Sequence, residues 1–156
     1  MIILGIDPGY AITGWAILEK TGAKLVPLDY GVIETKIGLP HAERLLILNQ
    51  ELKKIIKKFQ PELLSVEELF FFKNLKTAIK VAEARGVILA TAAESGLEIL
   101  EVTPLQIKQA LVGYGRAEKK QVQQMVKVIL GLKEIPEPDD AADALAAAIT
   151  GANRTR

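Results

Sequence analysis

Residues 2–18, Ile2-Ile-Leu-Gly-Ile-Asp7-Pro-Gly-Tyr-Ala-Ile-Thr-Gly-Trp-Ala-Ile-Leu18, constrain this chain more than any other stretch. Two apolar runs, residues 2–6 and 15–18, flank a turn rich in Gly and Pro. Such runs read as two buried strands joined as a hairpin. Asp7 is the one acid in the first run and stands at its end. Pro8 fixes φ and Gly9 accepts positive φ, so the chain turns directly after the carboxylate. Two readings stay open for Asp7 on this stretch alone: a turn former, or one half of a site at the tip of a buried strand.

The rest of the chain narrows the chemistry. A length of 156 residues suits a single domain, 1–156, with one sizeable core. The sequence has no Cys and a single His, His41. Disulfides, thiolate metal sites and thiol catalysis are excluded, as are multi-His metal centres. A metal site in this chain is therefore built from oxygen donors, the chemistry of Mg²⁺, Mn²⁺ or Ca²⁺. No secretory leader or bilayer-spanning run is expected, and the absence of Cys fits a cytoplasmic home. The formal net charge is only +1, but it is unevenly spread. Residues 108–127 hold five bases (Lys108, Arg116, Lys119, Lys120 and Lys127) against Glu118, whereas residues 134–143 hold five acids and no base. That pairing suits metal ions handling phosphates, although either run alone also describes a solvated face.

Periodicity then orders the chain. Residues 24–33 continue the hairpin as a third antiparallel strand. Apolar residues at 3–4 spacing predict a helix over 41–59, stopped by Pro61, with His41 solvated at its start. Residues 62–68 read as a short buried strand. The helical crossover before it requires parallel pairing with the first strand. A long helix over 74–95 is apolar on more than one face, and part of it is expected to face a second subunit. A fifth strand, 98–102, is parallel by the same argument. Thr103-Pro104-Leu105-Gln106 starts a helix to about residue 112. Gly113-Tyr114-Gly115 breaks the chain before a helix over 117–130. A last Ala-rich helix, capped by Asp139 or Asp140, runs through residue 150, and the tail 152–156 is expected to be disordered. The fold class is α/β: a five-stranded mixed sheet, three antiparallel strands then two parallel ones, flanked by helices.

Four acidic positions stand out in this arrangement: Asp7, Glu67 or Glu68, Asp140 and Asp143. The first two end strands expected to lie parallel, so they emerge at one sheet edge, outside the carboxyl ends of the strands. The last two are three apart on a helix and share a face. Like charges so gathered raise each other's pKa and repel unless divalent cations neutralise them. Two such ions about 3.5–4 Å apart clamp an in-line displacement at phosphorus. Taken singly, Asp140 and Asp143 also read as acids at a helix start, and Glu67-Glu68 as a solvated strand end.

Four linked motifs carry a resemblance: I-L-G-I-D-P-G-x-x-x-T-G, S-V-E-E-L-F-F-F-K-N, Q-I-K-Q-A-L-V-G-Y-G-R-A-E-K-K-Q-V-Q-x-M-V and D-A-A-D-A-L-A-x-A-I-T. In order and spacing they resemble the bacterial RuvC family of Holliday junction resolvases over nearly the whole chain. The resemblance implies an RNase H-like fold. It implies a homodimer that makes paired, symmetric nicks in a four-way DNA junction with Mg²⁺ or Mn²⁺, two ions per site, alongside the RuvA–RuvB branch-migration machine. By motif, V-E-x-x-F selects Glu67 over Glu68 and D-A-A-D selects Asp140 over Asp139. The metal-binding and catalytic acids implied are thus Asp7, Glu67, Asp140 and Asp143. Some family members carry His where Asp140 stands. Lys108 and Lys119 match family lysines implicated in DNA binding and catalysis, and phosphate contact is their expected role. Arg116 and Lys120, in the same basic run, are expected to contact DNA. Phe70 matches a family aromatic near the unpaired bases of the junction, where stacking is worth roughly 1–3 kcal/mol per base. The expected function is a structure-selective endonuclease acting in recombination and repair. The rivals are another RNase H-like nuclease, an actin-like or sugar-kinase-like ATPase, whose second lobe is missing here, and a non-catalytic junction-binding module.

Overall fold

The computed structural model describes residues 1–69 and 74–155. Its elements are β1 (Ile2–Asp7), β2 (Ile12–Thr21), β3 (Lys24–Glu34), α1 (His41–Phe59), β4 (Leu63–Glu67), α2 (Leu75–Glu94), β5 (Glu98–Val102), α3 (Pro104–Val112), α4 (Lys119–Leu130) and α5 (Asp139–Arg154). The strands form one sheet in the order β3-β2-β1-β4-β5. β1, β2 and β3 pair antiparallel, while β1–β4 and β4–β5 pair parallel, as the crossover argument requires.

The period of two along each strand divides the core into two halves. Leu4, Ile6, Ile17, Leu64 and Val66 pack with Leu48, Leu52 and Ile56 of α1 and Ala84 and Ile88 of α2. Ile3, Ala16, Leu18 and Leu63 pack on the other face with α3, α4 and α5. Asp7 follows Ile3 and Gly5 in alternation, and Glu67 follows Leu63 and Ser65. Both acids therefore belong to the face that α5 covers.

The register explains how close α5 comes. Next to the row carrying Asp7 lies a row of small residues: Ala16 opposite Gly5, and Gly5 opposite Ser65. A Cβ on Gly5 would stand 2.2 Å from the Ala144 carbonyl oxygen. A Cβ on Gly14, the β2 partner of Asp7, would stand 1.9 Å from the Asp140 carbonyl oxygen. The Ser65 hydroxyl donates to the Ala147 carbonyl at 2.6 Å. An Ala-rich helix on a small-residue row packs nearly backbone to backbone, and 11 residues of α5 are buried.

The structure corrects the sequence at three places. α5 continues to Arg154 where a helix through residue 150 and a disordered tail were expected. The Lys20 ammonium donates to the carbonyls of Ala152 at 2.6 Å and Thr155 at 2.5 Å, satisfying acceptors that a helix end leaves open. The residue before α5 is Pro138, without a side-chain cap; Asp139 and Asp140 both lie inside the helix, and Lys119 and Gln123 hold the Asp139 carboxylate. His41 is half-buried rather than freely solvated: its Nε2 lies 2.7 Å from Glu83 of α2 and its ring packs on Tyr10.

Candidate active site

At the carboxyl end of β1, the Asp7 side chain stands half-buried beside the first turn of α5. Register places Ile6 against Val66, so Asp7 and Glu67 come one step further along neighbouring strands. α5 lowers Asp140 and Asp143 onto the same edge. The close approach of α5 over the small-residue row thus brings Glu67, Asp140 and Asp143 near enough for their charges to act on Asp7.

Charge crowding is the electrostatic signature of the site. Burial, followed by the nearby charges of Asp143, Glu67 and Asp140, pushes the Asp7 carboxyl up to about 8. Burial and then Asp143 push Glu67 up to about 7, against the opposing pull of Lys119 and Lys108. Burial also raises Asp143, although Lys119 hydrogen-bonds to it. Buried, crowded carboxyls that bind protons near neutrality disfavour their own charge, and a bound divalent cation would relieve that condition. The donor set is wholly carboxylate oxygen, which fits a hard cation. Among the described residues no group of three or more acids is posed to hold a metal ion, and Asp143 is turned instead to Lys119.

Opposite the acids stand two cations from separate helices. Glu67, Asp143, Lys108, Lys119, Pro104, Ile107, Val122 and Ala146 line a cleft of about 190 Å³. Lys108 comes from α3 and Lys119 is the first residue of α4. The Lys119 Nζ lies 3.0 Å from Asp143 Oδ2 and 3.3 Å from Asp139 Oδ2. Burial pulls the Lys119 ammonium down, but those two carboxylates outweigh it and hold its pKa above the usual value. Lys119 holds Asp139 below the usual carboxylate range, helped by Gln123, whose amide donates to Asp139 Oδ1 at 3.0 Å.

The other sequence candidates fall elsewhere. Arg116 and Lys120 are exposed and outside the cleft lining. Phe70 lies outside the described residues. Glu68 is half-buried and outside the cleft lining, its backbone N–H donating to the Val102 carbonyl at 2.8 Å.

Two contacts escaped the sequence reading. Arg85 of α2 donates from Nε to the Glu67 carbonyl at 3.2 Å and forms an ion pair with Glu101. The Gln123–Asp139–Lys119 chain is the other. Its signal was present as two i, i+4 pairs, Lys119/Gln123 and Asp139/Asp143, on facing helices.

A sequence profile described as "Crossover junction endodeoxyribonuclease RuvC" matches residues 3–151. The chain belongs to the RuvC family. The crossover junction endodeoxyribonuclease RuvC of Ruminiclostridium cellulolyticum is 57% identical over 156 residues, 100% of this chain and 94% of the relative. The RuvC of Desulfitobacterium hafniense is 56% identical over 153 residues, 98% and 93% of the two chains. A solved structure of Thermus thermophilus RuvC in complex with Holliday junction substrate superposes with a TM-score of 0.88 at 38% identity, covering 96% of this chain and 92% of that one. The five-stranded mixed sheet is accordingly the RNase H-like fold of the RuvC family. Among the described residues no helix is long and apolar enough to cross a membrane.

Proposed function

We propose that this RuvC-family chain cuts four-way DNA junctions through the acid cluster at the ends of β1 and β4. The chain is a Holliday junction-resolving endonuclease, an activity carried by its membership of a family of crossover junction endodeoxyribonucleases. The crowding of Asp7, Glu67 and Asp143 at one sheet edge, faced by Lys108 and Lys119, is the observation that carries the site assignment.

In this reading Asp7, Glu67, Asp140 and Asp143 hold Mg²⁺, two ions per site, with Mn²⁺ able to substitute. Bound divalent cations supply Lewis acidity to the scissile phosphate and its attacking water. The acids fix where that chemistry occurs, because α5 and two strands hold them from both sides. Lys108 and Lys119 offer ammonium groups to phosphate oxygens entering the cleft and orient the backbone without reading bases. The bond from phosphorus to the 3′ oxygen breaks as the bond to water oxygen forms. Arg116 and Lys120 extend the phosphate-binding surface from the same loop and helix start, and Phe70 stacks on an unpaired base at the branch.

The whole chain acts as one nuclease domain, as a homodimer. A four-way junction has approximate two-fold symmetry, and paired nicks need two related sites. The α2 face carrying Leu75, Ile79, Ala82, Gly86 and Ala90 supports this reading. Leu75 is 74% exposed and Ile79 51%, and nothing lies within 4 Å of a Cβ built on Gly86. Gly86→Arg is expected to yield a monomer in sedimentation; an unchanged dimer would exclude this face. The cytoplasm is the expected location, and a RuvA–RuvB branch-migration complex the expected partner.

The decisive experiment compares wild type and Asp7→Asn on a four-way junction, a linear duplex and an RNA–DNA hybrid. Selective nicking of the junction by wild type, with Asp7→Asn binding it but not cutting, is expected. Full activity of Asp7→Asn would overturn the site assignment. Equal cutting of the hybrid would favour a different RNase H-like nuclease.

A further inference from the structure

Lys119, one of the two lysines lining the cleft, has two carboxylate partners, and the two differ in kind. Asp143 faces the other acids and lines the cleft. Asp139 stands one turn earlier on α5, outside the cleft lining, with its side chain 67% exposed. Its two oxygens are both committed: Oδ2 to Lys119 at 3.3 Å and Oδ1 to the Gln123 amide at 3.0 Å. Gln123 is itself only 9% exposed, so this brace is set into the interface between α4 and α5. Lys119 and Gln123 are four apart on one helix, and Asp139 and Asp143 four apart on the other, so two i, i+4 pairs interlock. An exposed lysine–carboxylate pair by itself contributes little, mainly because two long side chains must be ordered. Here Gln123 orders the carboxylate beforehand.

We propose that Asp139 is a positioning residue that keeps the Lys119 ammonium at the cleft when Asp143 gives up its contact with that lysine. The proposal rests on the reading of Asp143 as a metal-holding acid and of Lys119 as a phosphate-binding group. Without Asp139, the ammonium has Asp143 as its remaining carboxylate partner. It then either stays on Asp143, where it competes for the carboxylate, or swings into solvent. With Asp139 present, it keeps a fixed anchor about one helical turn from Asp143 and remains within reach of a phosphate oxygen. The acid that motif matching sets aside as an extra thus has a task.

The test uses the full-length protein and a double-mutant cycle. Asp139→Asn is expected to slow single-turnover junction cleavage roughly 10-fold, at the low end of losses seen when a supporting partner is removed. Junction affinity should change less than about two-fold, and Asp139→Glu should restore part of the rate. In a Lys119→Ala background, Asp139→Asn should cost nothing further. The same fractional loss in both backgrounds, or a wild-type rate for Asp139→Asn, would overturn the proposal. A second readout needs no cleavage. In metal-free protein, acylation of Lys119 by an amine-reactive reagent, located by mass spectrometry, should quicken several-fold in Asp139→Asn and stay constant in Glu68→Gln. Unchanged labelling refutes retention by Asp139. If Asp139→Asn labels as expected while wild type does not cut junctions, the nuclease reading fails and the lysine anchor stands.

Discussion

A single methyl group at Gly14 tests whether the seating of α5 sets the geometry of the acid cluster. In Gly14→Ala the new Cβ would meet the Asp140 carbonyl oxygen at 1.9 Å, about 1.5 Å short of ordinary van der Waals contact. The obstacle is backbone, so no side-chain rotation relieves it. The first turn of α5 must lift from β2 and carry Asp140 and Asp143 away from Asp7. Overpacking of this kind costs about 1–3 kcal/mol. At 2–4 °C per kcal/mol for a chain of this size, the melting temperature should fall by about 2–12 °C. A misplacement near 1 Å costs a rate factor of about 100, and single-turnover junction cleavage should fall by at least that much. Gly151→Ala is the control: its Cβ would meet the Ser65 Cβ at 2.7 Å, far along the helix from the acids. It should lose comparable stability with little loss of rate. A Gly14→Ala protein that melts lower yet cuts at the wild-type rate would refute the argument.

Other outcomes follow from the same geometry. The raised carboxyls of Asp7, at about 8, and Glu67, at about 7, bind protons more tightly in the folded than in the unfolded chain. Their contribution to stability is therefore complete below the ordinary carboxylate range and is lost as pH rises through about 7 and 8. Metal-free protein should melt progressively lower from pH 5 to pH 9, and saturating Mg²⁺ should reverse the trend at the alkaline end; a flat metal-free profile would contradict the crowding. Arg85→Ala removes a charge-assisted bond to the Glu67 carbonyl and leaves Glu101 without its partner, costing about 1.5–3 kcal/mol. Denaturant melts should record that loss. Cleavage should fall about 10-fold with junction binding retained, because Glu67 sits on the loosened strand end.

Much of the sheet was legible because its logic is local. Alternation and crossover length determine that β1 and β4 run parallel, and this puts Asp7 beside Glu67. Asp140 and Asp143 share a helix face by spacing alone. The seat of that helix was hidden, because Gly5, Ala16 and Ser65 are unremarkable in their own strands and form a small-residue row only once register joins them. The start of α5 was misread for a related reason. Asp139 and Asp140 have the chemistry of cap residues, but both fall inside the first turn of α5, and Lys119 and Gln123 hold the Asp139 carboxylate across space. Lys108 and Lys119 are separated in sequence by the Gly113–Gly115 break, yet both helices pack on α5 and bring them to one cleft. Arg116 and Lys120, close by in sequence, remain outside it.

The burial of α5 also bears on how the site can come apart. Amide groups along a helix covered on nearly every side exchange with solvent only when the whole domain opens. Two of the four acids ride on that helix, and Lys20 closes its far end. The cluster therefore lacks a low-lying, half-assembled form in which a few acids hold a cation loosely at an open edge. For an enzyme that breaks DNA, assembly of the cutting site is tied to the most cooperative event available to the chain, its global folding. Marginal damage to the protein should then lower the number of active molecules before it degrades their selectivity.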